Sequence, residues 1–130
     1  MKYLKDVSDF HSRFNVPQPK TPAMPDEDMI SFRLNFLREE LTEIEDAILE
    51  EDMAGVLDGL VDIVYVALGT ALIFGFDFDV AWDRVQTANM QKVAGRPSDR
   101  HGTFDVTKPE GWTSPNLSDL VDPGWKRLLP

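Results

Sequence analysis

The chain has no cysteine, which excludes disulfides, thiolate metal sites and cysteine nucleophiles. Positive charge is also scarce: 13 Lys and Arg stand against 23 Asp and Glu, a formal net charge of −10. Surfaces that hold nucleic-acid backbones need clustered cations, so no nucleic-acid partner is expected, and a polyphosphate ligand would need a metal cation between itself and the protein. The N-terminal stretch from Met1 to Asn15 breaks up its apolar positions with charges and lacks the apolar run of a secretory signal. A cytoplasmic protein is expected. One long apolar run does exist, from Met53 to Phe76, but Asp58 and Asp62 lie inside it and no basic residue flanks it. Each carboxylate would cost roughly 2.5–3.5 kcal/mol at a bilayer centre, so a buried helix is expected there and no membrane span.

With 130 residues, 42% of them hydrophobic, the chain has the size of one domain and can bury a modest core. Leu4, Val7, Phe10, His11 and Phe14 recur at helical spacing and predict a first helix from Lys2 to Phe14. Four prolines between Val16 and Pro25 remove amide donors and fix φ, which makes that stretch an extended connector. A second helix is expected from Asp26 to about Glu50, its early acids matched to the positive end of the helix dipole. A third should run from Asp52 to Ile73 or Phe74, stopped by Gly75, and a fourth from Asp79 to about Val93, stopped by Gly95 and Pro97. The reading is all-α: a four-helix-bundle-like domain over residues 1–95, then a long irregular tail over 96–130. The tail would pack on the domain or on a neighbouring subunit, closed by Leu117, Leu120, Val121 and Trp125. Helix three is apolar all round, so it should be the central helix, its cover completed by oligomerisation as a homodimer or homotetramer.

The carboxylates carry the chemistry. At 100° per residue, Arg33, Phe36, Leu37, Glu40, Glu43, Ile44 and Ala47 share one stripe of helix two, so Glu40 and Glu43 point where the apolar side chains point. Glu39 falls at its margin. Asp58 and Asp62 share a face of the most apolar helix, with Tyr65 and Gly69 continuing it. Burying ionised carboxylates costs several kcal/mol unless something neutralises them. Two facing helices that each turn a carboxylate pair inward make an all-oxygen cage suited to Mg²⁺, with Mn²⁺ the alternative. Ion pairs with Arg33, Arg38 or Lys92 are the competing explanation. On helix four Asn89 lies on the stripe of Trp82, Val85 and Val93 with Lys92 at its edge, able to meet a phosphate oxygen or simply to satisfy hydrogen bonds; Trp82 is expected in the core.

EELTE at Glu39 to Glu43, DGLVDIVYVALGTALIFGFD at Asp58 to Asp77 and ANMQK at Ala88 to Lys92 occur in an order that resembles the all-α NTP pyrophosphohydrolases. That group includes MazG, phosphoribosyl-ATP pyrophosphohydrolase and dCTP pyrophosphatase. The resemblance extends from about Asp6 to Leu117 and implies Mg²⁺-dependent cleavage between the α- and β-phosphates, releasing a nucleoside monophosphate and pyrophosphate. It implies that Glu40, Glu43 and Asp62 ligate metal and that Glu39 helps orient water, with Glu39 or Glu43 as general base. Asn89 and Lys92 would lie near the phosphates or sugar, Lys92 against the leaving pyrophosphate. Many relatives have E-x-x-D where this chain has Gly59 and Asp62, with Asp58 one residue earlier, so Asp58 is included among the metal ligands and the number of ions is left open. His11, Arg33 and Tyr65 are the further substrate-binding candidates, each also readable as core. A (d)NTP is the expected substrate. Phosphoribosyl-ATP is the runner-up because no basic cluster is visible in the sequence, and a non-catalytic helical interaction module is the reading from another class.

Overall fold

Three aspartates set where helices begin. Asp26 accepts a hydrogen bond from the amide of Met29, Asp52 from Gly55 and Asp77 from Val80, each satisfying a donor that a helix leaves unpaired at its start. In the computed structural model, which describes residues 1–95 and 104–127, these caps open α2 (Glu27–Leu49), α3 (Met53–Ile73) and α4 (Phe78–Asn89), preceded by α1 (Lys2–Phe14). The protein is all-α. Gly75, at φ 74°, ends α3 in a left-handed turn in which its amide reaches Leu72 O and that of Phe76 reaches Ala71 O. The proline connector then crosses this turn, with Ala23 N–H donating to Phe74 O.

The helices α2 and α3 form the principal pair. They approach closely at Gly59, where a Cβ would lie 2.6 Å from Ile44 Cγ1. Across α3, α1 contributes Leu4 and Val7 to a core shared with Leu68 and Leu72, against which Tyr65 and Phe78 pack. Burying each of those α1 side chains stabilises the docking by about 2 kcal/mol.

Several expectations need correction. Helix four ends at Asn89, four residues early, because Val93–Ala94 (β1) leaves the helix to pair antiparallel with Val106–Thr107 (β2). Lys92 therefore lies in the connection after the helix. Trp82 is half exposed, since Phe78 takes the inward position of that face. The expected completion of α3's cover by a second subunit lies beyond a single chain, in which Leu57, Leu60, Val61 and Val64 are exposed and 39% of its most apolar window is buried. By length and composition alone α3 could cross a membrane, a test that core helices also pass.

The tail is more ordered than its composition suggests. Besides β2 it forms a 3-10 helix at Ser118–Val121, with Leu120 buried and Val121 exposed. The described part lies against its own chain: Arg84 holds Asp119 through two hydrogen bonds, Trp112 Nε1 donates to Ala88 O, and Trp125 Nε1 donates to Asp77 Oδ2. Arg127, almost fully buried, donates from its backbone to Lys20 O and from Nη2 to Gln18 O and Pro19 O. Pro97 and His101 fall outside the described residues.

Candidate metal centre

On α2, Glu40 and Glu43 are separated by three residues and so project from one face; α3 brings Asp62 opposite them. One carboxylate oxygen from each of the three lies within 4.8 Å of the other two. Metal–oxygen distances near 2.1 Å place neighbouring oxygens of one octahedral ion about 3 Å apart and opposite ones about 4.2 Å apart, so the carboxylates would have to draw in by about an ångström or more to close this triplet on a hard divalent cation. Burial grades through it, with Glu40 buried, Asp62 half-buried and Glu43 exposed, which leaves the site open on the Glu43 side.

Glu40 carries the strain of the arrangement. It is 7% exposed, and its Oε2 is buried without a hydrogen-bond partner. Burial, the charges of Glu43 and Asp62, a hydrogen bond with Glu43 and the charge of Asp58 all push its pKa above the ordinary glutamate value. No arginine or lysine answers these charges: the ion pairs among the described residues are Met1–Asp79, Lys2–Asp6, Lys5–Asp9 and Arg84–Asp119. An orphaned buried oxygen inside an acidic triplet fits a bound metal, and the competing idea of ion pairs with Arg33, Arg38 or Lys92 finds no contact among the described residues. Arg38 bonds to Asn35 instead.

The other candidates take distinct places. Asp58 is exposed and outside the triplet. At its level the close contact of Gly59 with Ile44 closes the α2–α3 interface, leaving the Asp58 side chain at the rim. Glu39, exposed, lines a shallow hollow of about 510 Å³ with Asn35, Arg38, Thr42 and Glu43, so Glu43 borders both the triplet and open space.

Arg33 and His11 are both buried and meet over Gly69, where a Cβ would lie 2.7 Å from Arg33 Nη2 and 2.9 Å from His11 Nε2. Arg33 donates to Thr70 Oγ1 and Val66 O, and His11 Nδ1 pairs with Pro17 O. The Arg33 bonds tie α2 to α3, and the His11 bond ties α1 to the connector. Burial, then the nearby Arg33 and Arg127 charges, lower the His11 pKa against the bond to Pro17. Tyr65 stacks edge-on against Phe10 at 5.6 Å and packs on the core. Asn89 is exposed at the last position of α4, and Lys92 Nζ lies 5.1 Å from the Trp112 ring centroid. The pairing of Lys92 and Trp112 was not legible in the sequence, because it depends on the short β1–β2 ladder, whose two-residue strands carry no periodicity of their own.

An all-α fold with a carboxylate triplet on two facing helices is the arrangement of the helical nucleotide pyrophosphohydrolases, a class that typically uses a divalent metal. Residues 7–89 match the family described as phosphoribosyl-ATP pyrophosphohydrolase, and the chain belongs to that family. It is also similar to an uncharacterized protein of Acanthamoeba polyphaga mimivirus, with 36% identity over 50 residues, 38% of this chain and 20% of the viral protein. The match thus spans about a fifth of that relative's length.

Proposed function

We propose that the protein is a Mg²⁺-dependent pyrophosphohydrolase that cleaves a nucleoside or deoxynucleoside triphosphate between its α- and β-phosphates. The observation that carries this reading is the unpartnered, buried Oε2 of Glu40 between Glu43 and Asp62. Glu40, Glu43 and Asp62 would hold the ion, with Asp58 at the rim free to join when substrate arrives. Mg²⁺ or Mn²⁺ there would offset phosphate charge and act as a Lewis acid toward phosphorus. Glu43, or Glu39 beside it, would take a proton from the attacking water; both border the open hollow, which supports that role. Asn89 and Lys92 are assigned to the phosphates. His11, Arg33 and Tyr65 support the site by fixing α1 and α2 on α3.

The test is a panel of NTPs and dNTPs, with phosphoribosyl-ATP included because the family description names it. Phosphorus NMR should show a monophosphate and pyrophosphate, formed only with divalent metal. Turnover of no compound, together with no detectable Mg²⁺ or Mn²⁺ binding, would remove the proposal.

We also propose that a second copy of the chain covers α3. Leu60, Val61 and Val64 line, with Tyr3, Tyr65 and Leu68, an apolar groove of about 470 Å³ that the monomer leaves open. Light scattering should give at least a dimer at micromolar concentration, and Val61→Glu should shift it toward monomer. A wild-type protein that scatters as a monomer contradicts this arrangement.

A further inference from the structure

Two lysines of this acidic chain converge on one indole. Lys92 Nζ and Lys108 Nζ each lie 5.1 Å from the centroid of Trp112. The ladder explains why. β1 and β2 pair Val93 with Thr107 and Ala94 with Val106, and Gly95 N–H continues the register to Asp105 O. Carried one step in the other direction, that register sets Lys92 directly opposite Lys108, at the open end of the hairpin and on one face of it. Trp112 is fixed in place: its Nε1 donates to Ala88 O at 2.7 Å, and its amide closes a turn onto Pro109 O through Gly111 at φ 79°.

Like charges directly opposite each other in a ladder are destabilising. The negative face of the indole offsets part of that repulsion. Among the described residues neither ammonium makes an ion pair; Lys20 and Lys126 make none either, but Lys92 and Lys108 are the two that share one ring. Two cations over one indole, without an ion-pair partner among the described residues, match, in a protein of net charge −10, a ligand with two adjoining negative groups.

We infer that Lys92, Lys108 and Trp112 form a diphosphate-binding station. Its ligand is the β,γ-diphosphate of the nucleotide or the pyrophosphate released from it. The inference rests on the proposed activity for its biological use and adds Lys108 and Trp112, both from the tail, to the residues that touch phosphate.

Binding can be read without turnover. In chelator, inorganic pyrophosphate is titrated into the full chain while the Trp112 indole N–H resonance, assigned with Trp112→Phe, is followed by NMR. Pyrophosphate and a nucleoside triphosphate should both shift it, a monophosphate should not, and added salt should weaken the effect. Lys108→Ala should raise the pyrophosphate dissociation constant at least 10-fold, Lys108→Arg should recover most of the loss, and Lys126→Ala should change nothing, with far-ultraviolet circular dichroism confirming that each variant folds. An indole resonance indifferent to pyrophosphate, or equally responsive in Lys108→Ala, overturns the station. Lys108-dependent pyrophosphate binding in a protein that cleaves no nucleotide supports the station and removes the activity. Nucleotide cleavage with KM and pyrophosphate inhibition unchanged by Lys108→Ala removes the station and leaves the activity standing.

Discussion

Glu40→Gln is expected to lower nucleotide turnover at least about 100-fold while raising the thermal stability of the metal-free protein. Partners that only orient metal ligands are worth about 10–100-fold in affinity or activity, so the most buried member of the triplet should be worth no less. Stability moves the other way because the substitution removes a charge that has no compensating cation when metal is absent. The pH dependence distinguishes this from a packing effect. The folded protein binds the Glu40 proton more tightly than the unfolded chain does, so stability should fall as pH rises from the ordinary glutamate range through the raised folded value. His11 contributes the opposite slope: its lowered pKa means that stability rises with pH up to about 6.5, the unperturbed histidine value. Comparing melts of wild type and Glu40→Gln across pH in chelator cancels the His11 contribution. A variant that retains full turnover, or that is destabilised at neutral pH without metal, would remove Glu40 from the centre of the site.

Gly75→Ala should destabilise the protein by about 3 kcal/mol, lowering Tm by roughly 10 °C. Gly75 is the left-handed residue that ends α3, and an added Cβ would meet the backbone carbonyl oxygen of Thr21 in the overlying connector. The turn cannot simply relax, because Ala23 N–H donates to Phe74 O on one side and Phe76 N–H to Ala71 O on the other. Displacing the connector would also disturb Arg127, whose guanidinium and amide bond to Gln18, Pro19 and Lys20. Thermal melts with and without Mg²⁺ measure the effect. A loss under about 1 kcal/mol would show that the connector yields easily.

The boundaries of the first three helices were legible because their signals are local. Asp26 and Asp52 are short-range caps, Gly75 supplies a positive φ and Pro17 follows the first helix. The facing of Glu40 and Glu43 toward Asp62 follows from helical spacing and an apolar stripe. Local sequence could not show that the exposed Asp58 is left out of the triplet, since this depends on the depth of the Gly59–Ile44 contact between two helices. Nor could it show the end of α4. Nothing between Asn89 and Val93 breaks a helix, yet β2, reached only after the chain has turned back, captures Val93 and Ala94. Arg33 illustrates the same limit: an arginine on an apolar stripe can face a ligand or a neighbouring helix, and only the absent side chain at Gly69 makes room for it beside His11.

The two tail tryptophans have a mechanical consequence for α4. Asp77 uses one carboxylate oxygen to start that helix and the other to receive Trp125, while Trp112 takes the carbonyl of Ala88 near its far end. A 12-residue helix is marginal by itself, and this one is clasped at both extremities by indoles from a single downstream segment. The far clasp falls at Ala88, one residue before Asn89 and four before Lys92, so the placing of both depends on the tail as well as on Phe78 at the opposite end of the helix, which packs on the core.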